Sequence, residues 1–176
     1  MNQSVRSFLV LAALSAVGIS THLVPHEMGI STVGAVSMLA AAYLPRSLML
    51  VPALLSVLVV DAFNGFYGAL AMGFVYLGHL AGVLVVRPVL KSTTTRTVVF
   101  AAVLNALAFY LLSNLTPMAM GFYPADMEGW ISCYVNGLPF LLRGILSNLL
   151  FGGLMFAAVW WIGEIRAHRL VATERH

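Results

Sequence analysis

The stretch YGALAMGFVYLGHLAGVLVVRPVLKSTTTR, residues 67–96, decides the fold. Its first part, residues 67–86, contains no Asp, Glu, Lys or Arg, and about 20 apolar residues in a helix are long enough to cross the hydrocarbon core of a bilayer. Arg87, Lys91 and Arg96 follow directly. Because Lys and Arg next to a span stay in the cytoplasm, the stretch predicts a transmembrane helix whose C-terminal end lies inside.

The composition of the whole chain is typical of a membrane protein. Of its 176 residues, 61% are hydrophobic and 9% are charged, whereas soluble domains carry roughly 25% charged residues. The length fits a single transmembrane domain. The net charge of +3 is concentrated beside the apolar segments, so we interpret it as a topology signal and not as a surface for nucleic acid. A lone cysteine, Cys133, excludes an internal disulfide.

The other apolar segments extend this pattern to six transmembrane helices in an all-α integral membrane domain. Pro45 and Arg46 separate the second segment from the third, and one fused helix over residues 29–61 would be about 50 Å long, far longer than a bilayer core is thick. Basic residues occur at both termini and after the second and fourth spans, which places both termini in the cytoplasm. The predicted spans are 7–24, 29–44, 47–61, 67–86, 97–113 and 138–165, with an extracellular loop over 114–137.

Polar residues gather on the predicted extracellular side of this topology. Arg143 lies within a span, and a charge inside a bilayer normally faces a cavity or a partner. We expect Arg143 to point into an outward-facing cavity and to bind a carboxylate or phosphate of a ligand. Snorkelling to the headgroups and pairing with Asp61 are the alternatives. The predicted substrate-binding residues are Arg143, Asp61, His26, Asn64, Asn114, Tyr123, Trp130, Cys133, Tyr134 and Asn148.

The sequence offers little support for catalysis or for a metal site. Known catalytic and nucleotide-binding motifs are absent from it. His22 and His26 have a spacing that presents two imidazoles to one metal ion on a helix, but Pro25 disrupts a helix there. We therefore predict no enzyme activity, no cofactor and no bound metal.

Two further features bear on packing and partners. Ala12 and Ala16 have the spacing of small residues that let helices approach closely in a membrane, either inside the bundle or against another subunit. The aromatic connection with Trp130 and Tyr134 forms either a lid over the cavity or an anchor at headgroup depth.

Several motifs between about residues 20 and 155 resemble one family. They are Leu23-Val24-Pro25-His26, Thr32-Val33-Gly34-Ala35, Asp61-Ala62-Phe63-Asn64-Gly65-Phe66-Tyr67, Ser113-Asn114-Leu115, and the run from Tyr123-Pro124 through Cys133-Tyr134 and Leu138-Pro139-Phe140 to Asn148-Leu149-Leu150. The chain resembles an uncharacterised bacterial family classed with membrane transport proteins, which is similar to the S-components of energy-coupling factor (ECF) vitamin transporters. It departs from that family at Glu27-Met28-Gly29, where prolines and an Asn are usual, and at Ser147-Asn148, where Gly-Asp is common.

The resemblance implies six helices, an outward-facing pocket roofed by extracellular loops, and docking to a membrane coupling subunit with two ATPases. It gives Ala12 and Ala16 on the first helix a role in that docking, and it makes Asn148 a sign of a changed ligand or proton dependence.

We therefore predict a subunit of the bacterial cytoplasmic membrane that binds a vitamin or similar micronutrient for an ECF importer. Two other interpretations stay open. One is a membrane enzyme or metal permease that uses His22, His26, Asp61 and Cys133, and the other is a structural membrane subunit.

Overall fold

Every regular element is helical within residues 3–20 and 30–173, the part of the chain that the computed structural model describes. This confirms the all-helical class predicted from the sequence. The helices are α1 (Gln3–Ser20), α2 (Val33–Tyr43), α3 (Val51–Asn64), α4 (Ala69–Val86), α5 (Thr95–Ser113), α6 (Leu115–Ala119), α7 (Met127–Ser147) and α8 (Gly153–Thr173). The predicted residues His22 and His26 lie outside the described residues.

Helices α2 and α3 are separate, as Pro45 predicts. Leu44 has an extended backbone, with φ −96° and ψ 151°, which is the conformation that a following proline favours. The amides of Leu48 and Met49 donate to the carbonyl of Pro45 at 2.9 and 3.0 Å. This tight turn reverses the chain, so one fused helix over residues 29–61 is excluded.

Among the described residues, three helical segments are long and apolar enough to cross a membrane. They are Ala69–Val86, Thr95–Ala119 and Met127–Gly163. Helices α1, α2 and α3 are apolar but shorter, and the 11 residues of α2 extend only about 16 Å at 1.5 Å per residue.

Helix α2 is the centre of the bundle and contacts α1, α3, α4, α5 and α8. Every residue from Ala35 to Ala41 is buried, and the small alanines among them let the neighbouring helices approach closely. Around the C-terminal half of α2 lies a dense apolar core that α4, α5 and α8 complete. Its members include Met38, Leu39, Val83, Val86, Leu90, Val98, Ala101, Ala102 and Phe156.

The segment predicted as an extracellular loop, residues 114–137, is largely helical, and this is a correction. Helix α6 occupies its start, and α7 begins at Met127 instead of at residue 138. The cause is an N-cap at Asp126, whose carboxylate accepts the amide N–H of Gly129 at 2.8 Å. Pro139 lies inside α7 and does not end the helix.

The two ends of the bundle differ in charge. The turns after α2 and α4 lie at one end, which we call the basic end, and the connections after α3 and α5 lie at the opposite end, which we call the acidic end. The basic end is defined by Arg46, Arg87, Lys91 and Arg96, and the acidic end by Asp61, Asp126 and Glu128.

Arg87 fastens the basic end. Its Nη1 donates to the carbonyls of Ala41 and Leu44 at 2.9 and 3.0 Å. These carbonyls belong to the last turn of α2, where backbone acceptors lack helical partners. The turn after α4 is therefore held against the end of α2.

Candidate ligand-binding cavity

A cavity of about 610 Å³ lies between α2, α3, α4, α5 and α7, in the half of the bundle nearer the acidic end. This volume is within the range of small-molecule sites, about 300–1,000 Å³. Most of the lining is apolar and comes from residues such as Val57, Val60, Val75, Phe109 and Phe140. The polar members of the lining are Ser31, Asp61, Tyr67, His79, Asn105, Tyr110, Ser113, Asn114, Ser147 and Asn148.

Two buried amides form one wall of the cavity. Asn148 Nδ2 donates to the carbonyl of Ala102 and to Asn105 Oδ1, both at 3.1 Å. Both asparagines are 4% exposed. Because buried polar groups need hydrogen-bond partners, this pair fixes the orientation of both amides toward the cavity wall.

Glycines on two neighbouring helices make room for the amide pair. A Cβ atom on Gly34 of α2 would lie 1.9 Å from Asn148 Oδ1, and one on Gly82 of α4 would lie 2.5 Å from Asn105 Nδ2. No real Cβ atom approaches that closely. The amides therefore pack directly against helix backbone, and both positions require glycine.

A π-helical turn, Asn148–Gly152, interrupts the helical run between α7 and α8. Such a turn inserts one residue and changes which side chains face the neighbouring helices, and it occurs often at functional sites. Asn148 is its first residue. The turn thus positions one of the two cavity amides, and no sequence pattern predicted it.

Asp61 supplies a buried carboxylate to the opposite wall. It is 8% exposed, and its Oδ2 accepts a hydrogen bond from the Tyr76 hydroxyl at 2.7 Å. The sequence suggested Arg143 as a partner, but the structure gives this carboxylate a tyrosine. Tyr67, in the connection between α3 and α4, lines the cavity as well.

The described lining contains no lysine or arginine. His79 also lines the cavity, and its ring lies 4.4 Å, centroid to centroid, from that of Phe109. Sequence reasoning assigned no binding role to His79 or to Asn105.

Arg143 lies beside the cavity but is not part of its lining. Its guanidinium carbon is 5.9 Å from the centroid of the Phe140 ring, and its side chain is half-buried. Gly144 and Ser147 of the same helix do line the cavity. Ser147 thus lines the cavity, whereas Arg143, which we expected to point into it, lies beside it.

The other predicted binding residues divide into two groups. Asp61, Asn114 and Asn148 line the cavity. Those that do not line it are Asn64, Tyr123, Trp130, Cys133 and Tyr134, and His26 falls outside the described residues.

Within the second group, Cys133 and Tyr134 attach the start of α7 to the end of α5. The Tyr134 hydroxyl donates to the carbonyl of Leu111 at 2.9 Å, and Cys133 Sγ lies 3.4 Å from the carbonyl of Asn114. Trp130 stacks on Tyr134 with ring centroids 6.3 Å apart. This aromatic segment is therefore a packed helical wall next to the cavity.

The described residues do not contain a group of three or more His, Cys, Asp or Glu side chains that could hold a metal ion. His22 and His26, whose spacing we considered for a metal ion, fall in the part of the chain outside that description.

Fold and cavity together define a helical protein with helices able to cross a membrane and with an internal, ligand-sized cavity. The chain belongs to a family of unknown function, DUF6580, whose sequence profile matches residues 2–170. Neither the curated proteins nor the solved structures contain a match to this chain.

Proposed function

We propose that this chain is the substrate-binding subunit of an ECF-type importer in the bacterial cytoplasmic membrane. It crosses the membrane six times and captures a vitamin or similar micronutrient in the cavity between α2, α3, α4, α5 and α7. The observation that carries the proposal is the cavity of about 610 Å³ with a mostly apolar lining and a few fixed polar groups, which is the usual make-up of a small-molecule site.

The packing below the cavity favours capture over conduction. Toward the basic end the bundle is filled by side chains such as Met38, Val83 and Val86, each 0% exposed. A chain that holds its ligand near one end and is closed at the other binds the ligand without conducting it. Release on the second side then needs a partner that supplies energy, as the ATPases of an ECF importer do.

The charge at the two ends supports an outward-facing cavity. Arg46, Arg87, Lys91 and Arg96 are all at the basic end, and basic connections remain in the cytoplasm. The cavity lies in the other half, so in this orientation it faces the outside, where a micronutrient is captured.

The lining also indicates the charge of the substrate. The carboxylate of Asp61 is buried in it, and the described lining holds no lysine or arginine to neutralise an anion. Because a buried charge is stabilised by an opposite charge or by hydrogen bonds, the cavity suits a neutral or positively charged molecule.

One face of α1 is open for a coupling subunit. Ser15 and Gly18 face the bundle, where a Cβ atom on Gly18 would lie 2.1 Å from Ser56 Oγ. Ala12 and Ala16 are exposed on the other side of the helix. Small exposed residues at this spacing favour close packing with another membrane helix.

Ligand binding is tested with the purified protein in detergent. Small molecules released by denaturation are identified by mass spectrometry, and thermal unfolding is followed with a panel of cationic, neutral and anionic vitamins. We expect at least one compound to be retained and to raise the Tm. If no compound is retained and none raises the Tm, the chain is a structural subunit and the proposal is wrong.

A matched pair of variants places the ligand in the cavity. Ala106 lines the cavity, and its neighbour Leu107 is exposed on the outside of α5. Ala106→Phe places a phenyl ring inside the cavity and should reduce or abolish the Tm shift, while Leu107→Phe should keep it. Equal loss in both variants would place the ligand elsewhere.

Coupling is tested by co-expression with an ECF coupling subunit and its two ATPases. We expect the complex to co-purify, and Ala12→Trp and Ala16→Trp to prevent this without changing the ligand-induced Tm shift. Leu77→Trp, at an exposed position of α4, is the control and should keep the complex. Co-purification of both alanine variants at the level of the unchanged chain would exclude α1 as the docking face.

A further inference from the structure

A second cavity, of about 540 Å³, lies at the basic end between the turn after α2 and the turn after α4. Its lining combines three cationic side chains with an apolar base and holds no acidic residue among those described. The lining residues are Ala41, Ala42, Arg46, Met49, Leu84, Arg87, Pro88, Leu90 and Lys91. We propose that this cavity binds the phosphate headgroup of an anionic phospholipid from the cytoplasmic leaflet. The proposal does not depend on the transport function.

Arg87 gives the cavity a cation in a fixed position. Its Nη1 is held by the carbonyls of Ala41 and Leu44 at 2.9 and 3.0 Å, which orients the planar guanidinium. An arginine that is already ordered loses less conformational freedom on binding and presents its fork of donors to phosphate oxygens. Arg46 and Lys91 are exposed on either side of it and add positive charge around the same space.

The surface that leads into the cavity suits an acyl chain. Leu70, Leu77 and Leu84 lie seven residues apart on α4 and are 57%, 52% and 51% exposed. Residues at that spacing fall close to one face of a helix, so the three leucines form an apolar stripe along α4. Leu84 is at the end of the stripe and also lines the cavity. A lipid can therefore place its headgroup among the cations and its chain along the leucines.

The identity of the ligand as a lipid follows from this continuity. A free phosphate ion would be recognised by the cations alone and would leave the exposed Leu84, and the leucine stripe that continues from it, uncovered. Basic pockets between membrane helices on the cytoplasmic side bind anionic headgroups, and each Lys or Arg near the surface contributes to the attraction. The combination of cations and an exposed apolar stripe fits a molecule that has both parts.

The experiment is native mass spectrometry of the purified chain in detergent with phosphatidylglycerol or phosphatidylcholine of identical acyl chains. The test variant is Arg46→Gln with Lys91→Gln, because both side chains are exposed and neither holds a helix. Arg96→Gln is the control, since Arg96 is a basic residue in the first turn of α5, at the same end of the bundle, that does not line the cavity. Arg87 is left intact because it also fastens α2.

We expect the unchanged chain to prefer phosphatidylglycerol, the double variant to bind it roughly thirtyfold more weakly, and Arg96→Gln to bind it as before. Equal binding of the two lipids by the unchanged chain, or equal losses in the control and the double variant, would overturn the proposal. Displacement of phosphatidylglycerol by millimolar inorganic phosphate would show a site for soluble anions and would also overturn it. So would a double variant that keeps the lipid preference of the unchanged chain, because Arg46 and Lys91 would then take no part in binding the headgroup.

Discussion

The same helices pack closely in one half of the bundle and surround a cavity in the other. Near the basic end, α2, α4 and α5 meet through apolar side chains such as Val83 and Ala101, which are 0% exposed. About one turn further along α5, Asn105 and Ala106 line a cavity of about 610 Å³. A helix in this chain therefore passes from a sealed core to a hollow, polar-lined site within a few residues.

The difference between the halves teaches where the chain tolerates buried polar groups. A buried amide or carboxylate costs free energy unless it is hydrogen-bonded, and the side chains of a dense apolar core offer it no hydrogen-bond partner. In the cavity half, Asn105 and Asn148 bind each other, and Asp61 binds Tyr76. Each polar group is held by a protein partner and still lines the space, which is the arrangement that a site for a specific ligand needs.

The largest effect is expected for the charge of Asp61. Asp61→Asn keeps an acceptor for the Tyr76 hydroxyl but removes the negative charge, so a cationic ligand of the cavity would lose its partner. We expect a loss of about 4 kcal/mol in binding, roughly a thousandfold, measured by titration calorimetry with the compound that raises the Tm. Arg143→Gln is the comparison. A larger loss in that variant would show that the ligand is an anion and that Arg143 reaches it, as predicted from the sequence.

The next effect concerns the close packing around the amide pair. Gly34→Ala places a methyl group where Asn148 Oδ1 lies, so the amides must move and the free energy of unfolding should fall by about 3 kcal/mol. Gly73→Ala is the control, because nothing lies within 4 Å of a Cβ atom there, and it should gain up to about 1 kcal/mol in helix propensity. Both are measured by thermal unfolding in detergent. Equal stability of the two variants would mean that the amides of Asn105 and Asn148 can shift to make room for the methyl group without loss of stability.

A third prediction examines the sealed half. Arg87→Gln removes the guanidinium that bonds the carbonyls of Ala41 and Leu44, and we expect a loss of about 2 kcal/mol in stability. Arg96→Gln removes an equal charge from the same end and should change stability little, because surface charges contribute about 0–1 kcal/mol. The ligand-induced Tm shift should persist in both variants. Its disappearance in Arg87→Gln would show that the two halves are coupled.

Much of the fold could be predicted from local sequence signals. Pro45 separates α2 from α3 because proline restricts the residue before it, and this needs no tertiary information. The same kind of signal was present at Asp126, an N-cap residue followed three positions later by Gly129. The predicted last span begins at residue 138, so the first turns of α7 fall within the predicted loop.

The cavity was only partly predictable for a physical reason. Asp61, Asn114 and Asn148 are predictable as site residues because the topology gathers polar groups in or beside the outer parts of the apolar spans, where such groups tend to face a cavity or a partner. Asn105 became a site residue only through its pairing with Asn148, which requires the π-helical turn and the glycines of α2 and α4. Arg143 lies within α7, before that turn. Helical spacing alone did not place its side chain, since contacts between helices decide which side chains face the cavity.

The smallest effect tests whether the acidic end is held by charge or by capping. Asp126 accepts the amide of Gly129 at the start of α7, so Asp126→Ala should cost about 1 kcal/mol of stability. Asp126→Asn keeps a good N-cap without the charge and should cost much less. Thermal unfolding of the two variants separates the effects, and equal losses would assign the stabilisation to the charge near the helix N-terminus. The cavity residues Ser147 and Asn148 lie at the opposite end of α7 from the cap. We therefore expect Asp126→Ala to leave ligand affinity unchanged.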